Sequence, residues 1–232
     1  MQETINNQPV FVIGDIHGLF VKLVDQIVKN DLMDCVMISV GDYGIGFNSS
    51  YKDELETQKK INDFLKLRNI MLYIIRGNHD DPSFFKGAGR LVFSNLEFLE
   101  DYTVKDINDE KFLFVGGALS IDRKYRRDGI SYWIDEVFTL DESQVTECDV
   151  LITHSAPSWI GPFDKAGISG WCDKDPTLWD ECLKERKDHN KLFKLAKPKK
   201  SYCGHFHCST VVDFDGCWAT ILNELEIKEH RK

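Results

Sequence analysis

Five short polar motifs punctuate this chain, and each follows an apolar run of strand length. The runs are residues 10–13, 36–40, 71–75, 150–152 and, more weakly, 201–203. The motifs that close them are Gly14-Asp15-Ile16-His17-Gly18, Gly41-Asp42, Gly77-Asn78-His79-Asp80, Thr153-His154 and Gly204-His205-Phe206-His207. A strand that ends this way sets a polar side chain on the edge of a sheet. Five such edges can converge on one site.

Helical periodicity fills the gaps between the first runs. Leu19, Leu23 and Ile27 recur at helical spacing over 19–29, and Leu55, Ile61, Phe64 and Leu65 form an apolar stripe over 52–67. Strands at 8–14, 34–41 and 70–76 therefore alternate with helices, the mark of βαβ units. Pro82 opens a short helix or turn. Shorter strand patterns follow at 96–99, 102–106 and 111–116, then a short helix at 141–147 and a strand at 150–153. Glycines and prolines with Trp159, Phe163 and Trp171 make 155–174 an ordered loop rim. Asp175-Pro176 supplies an N-cap and first turn for a helix to about 196, and Pro198 stops it. The end reads as strands at 200–204, 210–214 and 217–222, with Asp215-Gly216 as a hairpin turn. With no repeat, low-complexity tract or linker, residues 1–232 read as one domain.

A net charge of −9 disfavours a long basic grip on nucleic acid. It permits a small phosphorylated ligand or a nucleic-acid end. The seven cysteines are odd in number and show no Cys-x-x-Cys spacing, which points to a reduced, cytoplasmic setting. Cys203 and Cys208 flank the last histidine pair, and Cys203 reads as a small hydrophobe in a strand. Residues 1–4 show no secretory leader, and no apolar run approaches the 18 residues of a membrane span.

The polar motifs offer oxygen and imidazole donors and no thiolate. That set suits a pair of divalent transition ions sharing a carboxylate, which catalyse in-line displacement at phosphorus. Asp15 and His17 can hold one ion from a single turn, and Asp42 can bridge two through its two oxygens. Asn78 adds a neutral oxygen, and His154, His205 and His207 complete the shells. A hydroxide bridging the ions would attack phosphorus opposite the leaving group. His79, beside Asn78, is the natural general acid, with Asp80 or another carboxylate orienting its ring. Arg76, Arg123, Arg126 and Arg127, whose guanidinium binds bidentately, together with Lys124, are candidates for the phosphate oxygens. Arg123 is the first choice, since its segment leaves a strand through Gly116-Gly117. His189 sits in a polar helical run and reads as solvated, and His230 reads as part of a frayed tail. Trp133, Trp159 and Trp171 could stack a base, but packing is the favoured reading.

Taken in this order, Asp-x-His, Gly-Asp, Gly-Asn-His-Asp, a lone His after a strand and Gly-His-x-His resemble the calcineurin-like metallophosphoesterase family. The resemblance spans residues 14 to 207. It implies an α/β fold, a four-layer α-β-β-α sandwich with the site at the sheet edges. It implies one ion on Asp15, His17, Asp42 and His207, and another on Asp42, Asn78, His154 and His205. Manganese is the first choice, with iron, zinc and nickel as alternatives. His79 matches the family's catalytic histidine. The Ser/Thr phosphatase branch continues its second motif into an Asp-Arg-Gly that holds phosphate. Here the chain runs Gly41-Asp42-Tyr43-Gly44-Ile45-Gly46, without that arginine. That branch also lacks the second histidine of the last motif. The expected activity is thus hydrolysis of phosphate esters, with phosphodiesters (nucleotide or nucleic-acid end) favoured over phosphomonoesters and phosphoproteins. The rival from another class is a non-catalytic, metal-bound scaffold that binds partners through 155–174.

Overall fold

The computed structural model describes residues 8–162 and 164–231. The leader reading at residues 1–4 and the rim residue Phe163 lie outside the described residues. The first half is β1 (Val10–Ile13), α1 (Phe20–Lys29), β2 (Cys35–Ser39), α2 (Tyr51–Leu67), β3 (Ile70–Ile74), β4 (Leu96–Phe98), β5 (Thr103–Ile107) and β6 (Glu110–Val115). The second half is β7 (Val150–Thr153), α3 (Ser169–Cys172), α4 (Leu178–Ala196), β8 (Lys200–Cys203), β9 (Thr210–Phe214), β10 (Cys217–Ile221) and β11 (Ile227–His230). One sheet runs β11-β1-β2-β3-β4 and the other β5-β6-β7-β8-β10-β9.

The two-residue period of a strand sorts the side chains into layers. Val10, Val12, Val36, Ile38 and Tyr73 of the first sheet meet Phe112, Phe114, Val150, Ile152 and Tyr202 of the second in one buried cluster. Their neighbours point the other way. Ile13, Met37, Leu72 and Ile74 pack with Leu23 and Ile27 of α1 and Ile61 and Leu65 of α2. Leu113, Val115 and Leu151 pack with Leu192, Phe193 and Ala196 of α4. Both faces of the central strands are covered, which explains why β1, β2, β3 and β7 read as continuous apolar runs, while the outer strands β5 and β9 stay partly exposed. The result is the expected four-layer α-β-β-α sandwich. No described helix is long and apolar enough to cross a membrane.

Three readings change. Residues 141–147 form turns and no helix, because the Asp141 carboxylate accepts from the Ser143 amide at 3.1 Å and the Gln144 side chain at 2.7 Å. Such local side-chain bonds compete with helix formation. Helix α4 starts at Leu178 with Thr177 at its N-cap and no side-chain cap bond; the Thr177 hydroxyl is turned to Glu181 at 2.7 Å and the Asp175 carboxylate to Arg123. The loop after β7 contains α3 and a 3-10 turn at Ala166–Ile168.

Two histidines are also relocated. His189 is fully buried and its ring stacks on Phe138 at 4.0 Å, so it is not solvated. It shares the buried face of α4 with Arg186, Phe193 and Ala196, three or four residues apart. Burial pushes its ring down to about 3, so it stays neutral. His230 ends β11, which pairs antiparallel with β1, and meets Tyr202 at 3.0 Å and Glu110 at 2.8 Å. Strand β11 escaped the sequence reading because Ile-Lys-Glu-His is short, charged and at a sheet edge.

Candidate metal centre

Strands β1, β2 and β3 are mutually parallel, and so are β6, β7 and β8 in the other sheet. Their C-terminal ends face one crevice. Asp15 and His17 leave β1, Asp42 leaves β2, Asn78 leaves β3, His154 leaves β7, and His205 and His207 leave β8. Asp15, His17, Asp42 and His207 bring one donor atom each to within 4.8 Å of the others. Asp42, His154 and His205 do the same, so Asp42 belongs to both groups. The Asn78 oxygen lies 3.1 Å from His154 Nε2, which adds it to the second group.

The glycines of the motifs make this convergence possible. A Cβ on Gly77 would sit 2.1 Å from Asp42 Oδ1, and one on Gly204 would sit 1.9 Å from Asp15 Oδ1. Each glycine thus clears space for the carboxylate of a different motif. The backbone is held in an unfavourable form as well. His17, Asp42, His205 and His207 all have left-handed φ, between 46° and 67°. Such strain persists only where surrounding structure enforces it, and it concentrates at functional sites.

The charges are equally crowded. Asp15 and Asp42 are essentially inaccessible. Burial works against the Asp42 carboxylate, but His154, His79 and His17 hold it well below the usual range. Burial also opposes a charged His154, yet the Asp42 carboxylate 3.1 Å away and Asp15 hold that ring up to about 9. His154 Nδ1 meets the Val40 carbonyl at 2.8 Å, which turns Nε2 toward the centre. His17 Nε2 and His207 Nε2 stand 3.1 Å apart, and the latter is 3.2 Å from Asp15 Oδ2. Ring nitrogens aimed at each other and at buried carboxylates, with no thiolate among them, are the donor set of a hard-to-borderline divalent cation. The residues therefore fit metal ions.

Asn78 is oriented by a chain that no sequence spacing reveals. Its Nδ2 donates to Ser120 Oγ at 3.1 Å, and that hydroxyl donates to Glu136 Oε1. Glu136 Oε2 accepts from the Trp133 amide at 3.2 Å. With its nitrogen so engaged, the amide must turn its oxygen inward. Burial pushes the Glu136 carboxyl up to about 7.

His79 lies at the rim. Its amide donates to Asp42 Oδ1 at 2.8 Å, its ring stacks on Phe47 at 4.7 Å, and its Nε2 lies 2.6 Å from an Arg126 guanidinium nitrogen. A guanidinium only donates, so Nε2 accepts and the ring proton sits on Nδ1. Burial, against Asp42 and with Arg126, pushes the ring down to about 4. Asp80 does not orient this ring. Its Oδ1 accepts from the amides of Gly44 and Ile45, and its Oδ2 from those of Tyr43 and Gly77, at 2.6–3.2 Å. It ties the turn after β2, which carries Asp42, to the turn after β3.

The arginines separate sharply. Arg123, the first choice for phosphate, is bound to Asp175 and Glu181, away from the centre. Arg127 reaches Asn48 at 3.2 Å. Arg76 is buried against Asp101 and the carbonyls of Asp135, Glu136 and Val137. Arg126 alone among these lines the central cavity, a space of about 500 Å³ that also touches Asp42, Asn78, His79, His205 and His207. Cys203 is buried in β8 and donates toward the Thr220 carbonyl, as a strand hydrophobe should.

No curated protein matches the sequence. Among solved structures, a phosphopantetheinyl hydrolase from Mycobacterium tuberculosis is 16% identical with a TM-score of 0.44, covering 94% of this chain and 90% of that one. GAP50, the anchor in the inner membrane complex of Plasmodium, is 13% identical with a TM-score of 0.45, covering 93% and 71%. A zinc-bound Vps29 from Entamoeba histolytica is 11% identical with a TM-score of 0.37, covering 94% and 74%. The sequence profile of the calcineurin-like phosphoesterases matches residues 8–209. This chain belongs to the calcineurin-like phosphoesterase family and is a metal-dependent hydrolase of phosphate esters.

Proposed function

We propose that the chain hydrolyses phosphodiesters, a nucleotide or a nucleic-acid end, with two divalent ions, manganese first among them. The observation that supports two ions is the membership of Asp42 in both donor groups. Asp15, His17 and His207 would hold one ion with it, and Asn78, His154 and His205 the other. When bound, such ions polarise the phosphoryl oxygens and activate water as the nucleophile. The chain's own residues do the rest. Arg126 can turn from His79 toward a phosphate oxygen, a charge-assisted exchange. Leaving His79 without its guanidinium neighbour raises the ring's affinity for a proton, so substrate binding itself readies the general acid. The absence of an arginine in the turn after Asp42, and the second histidine at 207, favour diesters over phosphoproteins.

The test is a manganese-loaded assay comparing bis-p-nitrophenyl phosphate, p-nitrophenyl phosphate and short oligonucleotides, with elemental analysis alongside. Two ions per chain, diester preference and loss of both ions in Asp42→Asn are expected. Full metal content in Asp42→Asn refutes the bridging role, and preference for the monoester refutes the substrate class.

A further inference from the structure

The cavity over the metal centre has a second end that the ligand set does not use. Leu119, Ile121, Pro162, Ile168, Trp171 and Trp179 line it. Helix α4 contributes Trp179, Cys182, Glu185 and Arg186, whose three-to-four-residue spacing puts them on one face. Helix α3 contributes Trp171, which meets Tyr125 edge-on at 5.5 Å and remains 36% exposed. The other two tryptophans singled out by the sequence behave differently. Trp159 is stacked flat on Phe214 at 4.4 Å, and Trp133 leans on Phe47 at 6.3 Å. Neither lines the cavity.

The charges at this second end are mixed: the Lys165 ammonium lies over the Trp179 ring at 5.9 Å, and burial pushes the Glu185 carboxyl up, toward its neutral form. Asp164 and Glu185 are both in the wall. Arg186 donates to the Ile160 carbonyl at 2.6 Å and lies over the Phe206 ring at 4.7 Å. Arg126 faces Asp122 at 2.7 Å and belongs to the metal end. A volume of about 500 Å³ accommodates a phosphate and one ring system. Resting on the phosphoesterase reading above, we propose that this end is a subsite for a planar aromatic substituent of the phosphate ester, held against Trp171 and Trp179.

The manganese-loaded full chain tests this with two inhibitors that share one anionic head, phenylphosphonate and methylphosphonate. Their inhibition of bis-p-nitrophenyl phosphate hydrolysis is measured, and so is their quenching of tryptophan fluorescence, which needs no turnover. Phenylphosphonate should bind about tenfold or more tightly than methylphosphonate, the usual worth of aromatic stacking. Trp171→Ala, at a half-open surface position, and Trp179→Ala should each shrink the phenyl-to-methyl ratio while methylphosphonate binding holds. Equal affinity of the two in the wild type, or a ratio that survives both substitutions, overturns the subsite. If instead no ester is hydrolysed while the fluorescence ratio stands, the phosphoesterase reading fails and the subsite does not.

Discussion

Asp80→Asn separates a structural carboxylate from a catalytic one. Each Asp80 oxygen accepts two backbone amides, and the residue is wholly buried. Asparagine replaces one oxygen with a donor group. Whichever side it takes, two buried amides then face another donor. An unsatisfied buried donor costs about 1–3 kcal/mol, so the pair costs about 2–6 kcal/mol. Against a typical stability of about 5–15 kcal/mol that is a large fraction. With a urea slope of about 2 kcal/mol/M, the unfolding midpoint should fall by about 1–3 M. The loss should be greater with metal bound. Burial, and then the Asp42 charge, push the Asp80 carboxyl up to about 7 against the pull of its amides. A cation on Asp42 removes that second push and leaves Asp80 ionised, with all four bonds at full strength. Urea titrations of the manganese-loaded and chelated forms, with kcat measured in parallel, give the answer. A midpoint unchanged from wild type, combined with a fallen kcat, would return Asp80 to the role of orienting His79 and refute the amide-clamp argument.

His79→Ala should keep its metal content and lower kcat by roughly 10²–10⁴-fold, with a smaller loss for p-nitrophenyl than for alkyl leaving groups; equal losses would rule out proton donation. Arg126→Ala should lower kcat/KM by about tenfold or more, from one charge-assisted bond worth ~1.5–3 kcal/mol. Arg123→Ala should leave kcat/KM within about twofold and lower only the thermal midpoint, since its partners Asp175 and Glu181 anchor α4; steady-state kinetics on both variants distinguishes them. In the chelated protein, burial opposes a charged His154 ring but the Asp42 and Asp15 carboxylates hold it up to about 9, above its ordinary 6.5. Its stabilising contribution is complete below about pH 6.5 and disappears as pH rises through about 9. Chelated protein should therefore lose thermal stability over that window, and metal-loaded protein should not, because bound metal displaces the His154 proton; parallel slopes for the two forms would contradict the Asp42–His154 pairing.

The convergence of the candidate donors was legible because each motif is self-contained: a buried strand, an exit and a potential ligand within a few residues. Convergence needs only that β1, β2 and β3, and β7 and β8, run parallel, which the βαβ alternation already implies. The misreadings share one physical cause, that neighbours in sequence are not neighbours in space. Asp80 follows His79 directly, yet its carboxylate turns back to the amides of residues 43–45 and 77. Arg123 and Arg126 are three residues apart, yet the 3-10 turn at Arg123–Tyr125 sends one to α4 and the other to His79. His189 was hidden by its charged neighbours: Lys184 and Lys187 do face solvent, but Arg186 is buried on the same face as His189, so charge alone misplaces this stretch of the helix. The Asn78–Ser120–Glu136 chain links residues 42 and 16 positions apart with no pattern that could announce it. Ligands that touch a metal are fixed by the strand that carries them, and strands are written locally. The groups that aim those ligands come from wherever the packed chain happens to pass, so the chemistry of this centre was readable in the sequence while its support was readable only in the fold.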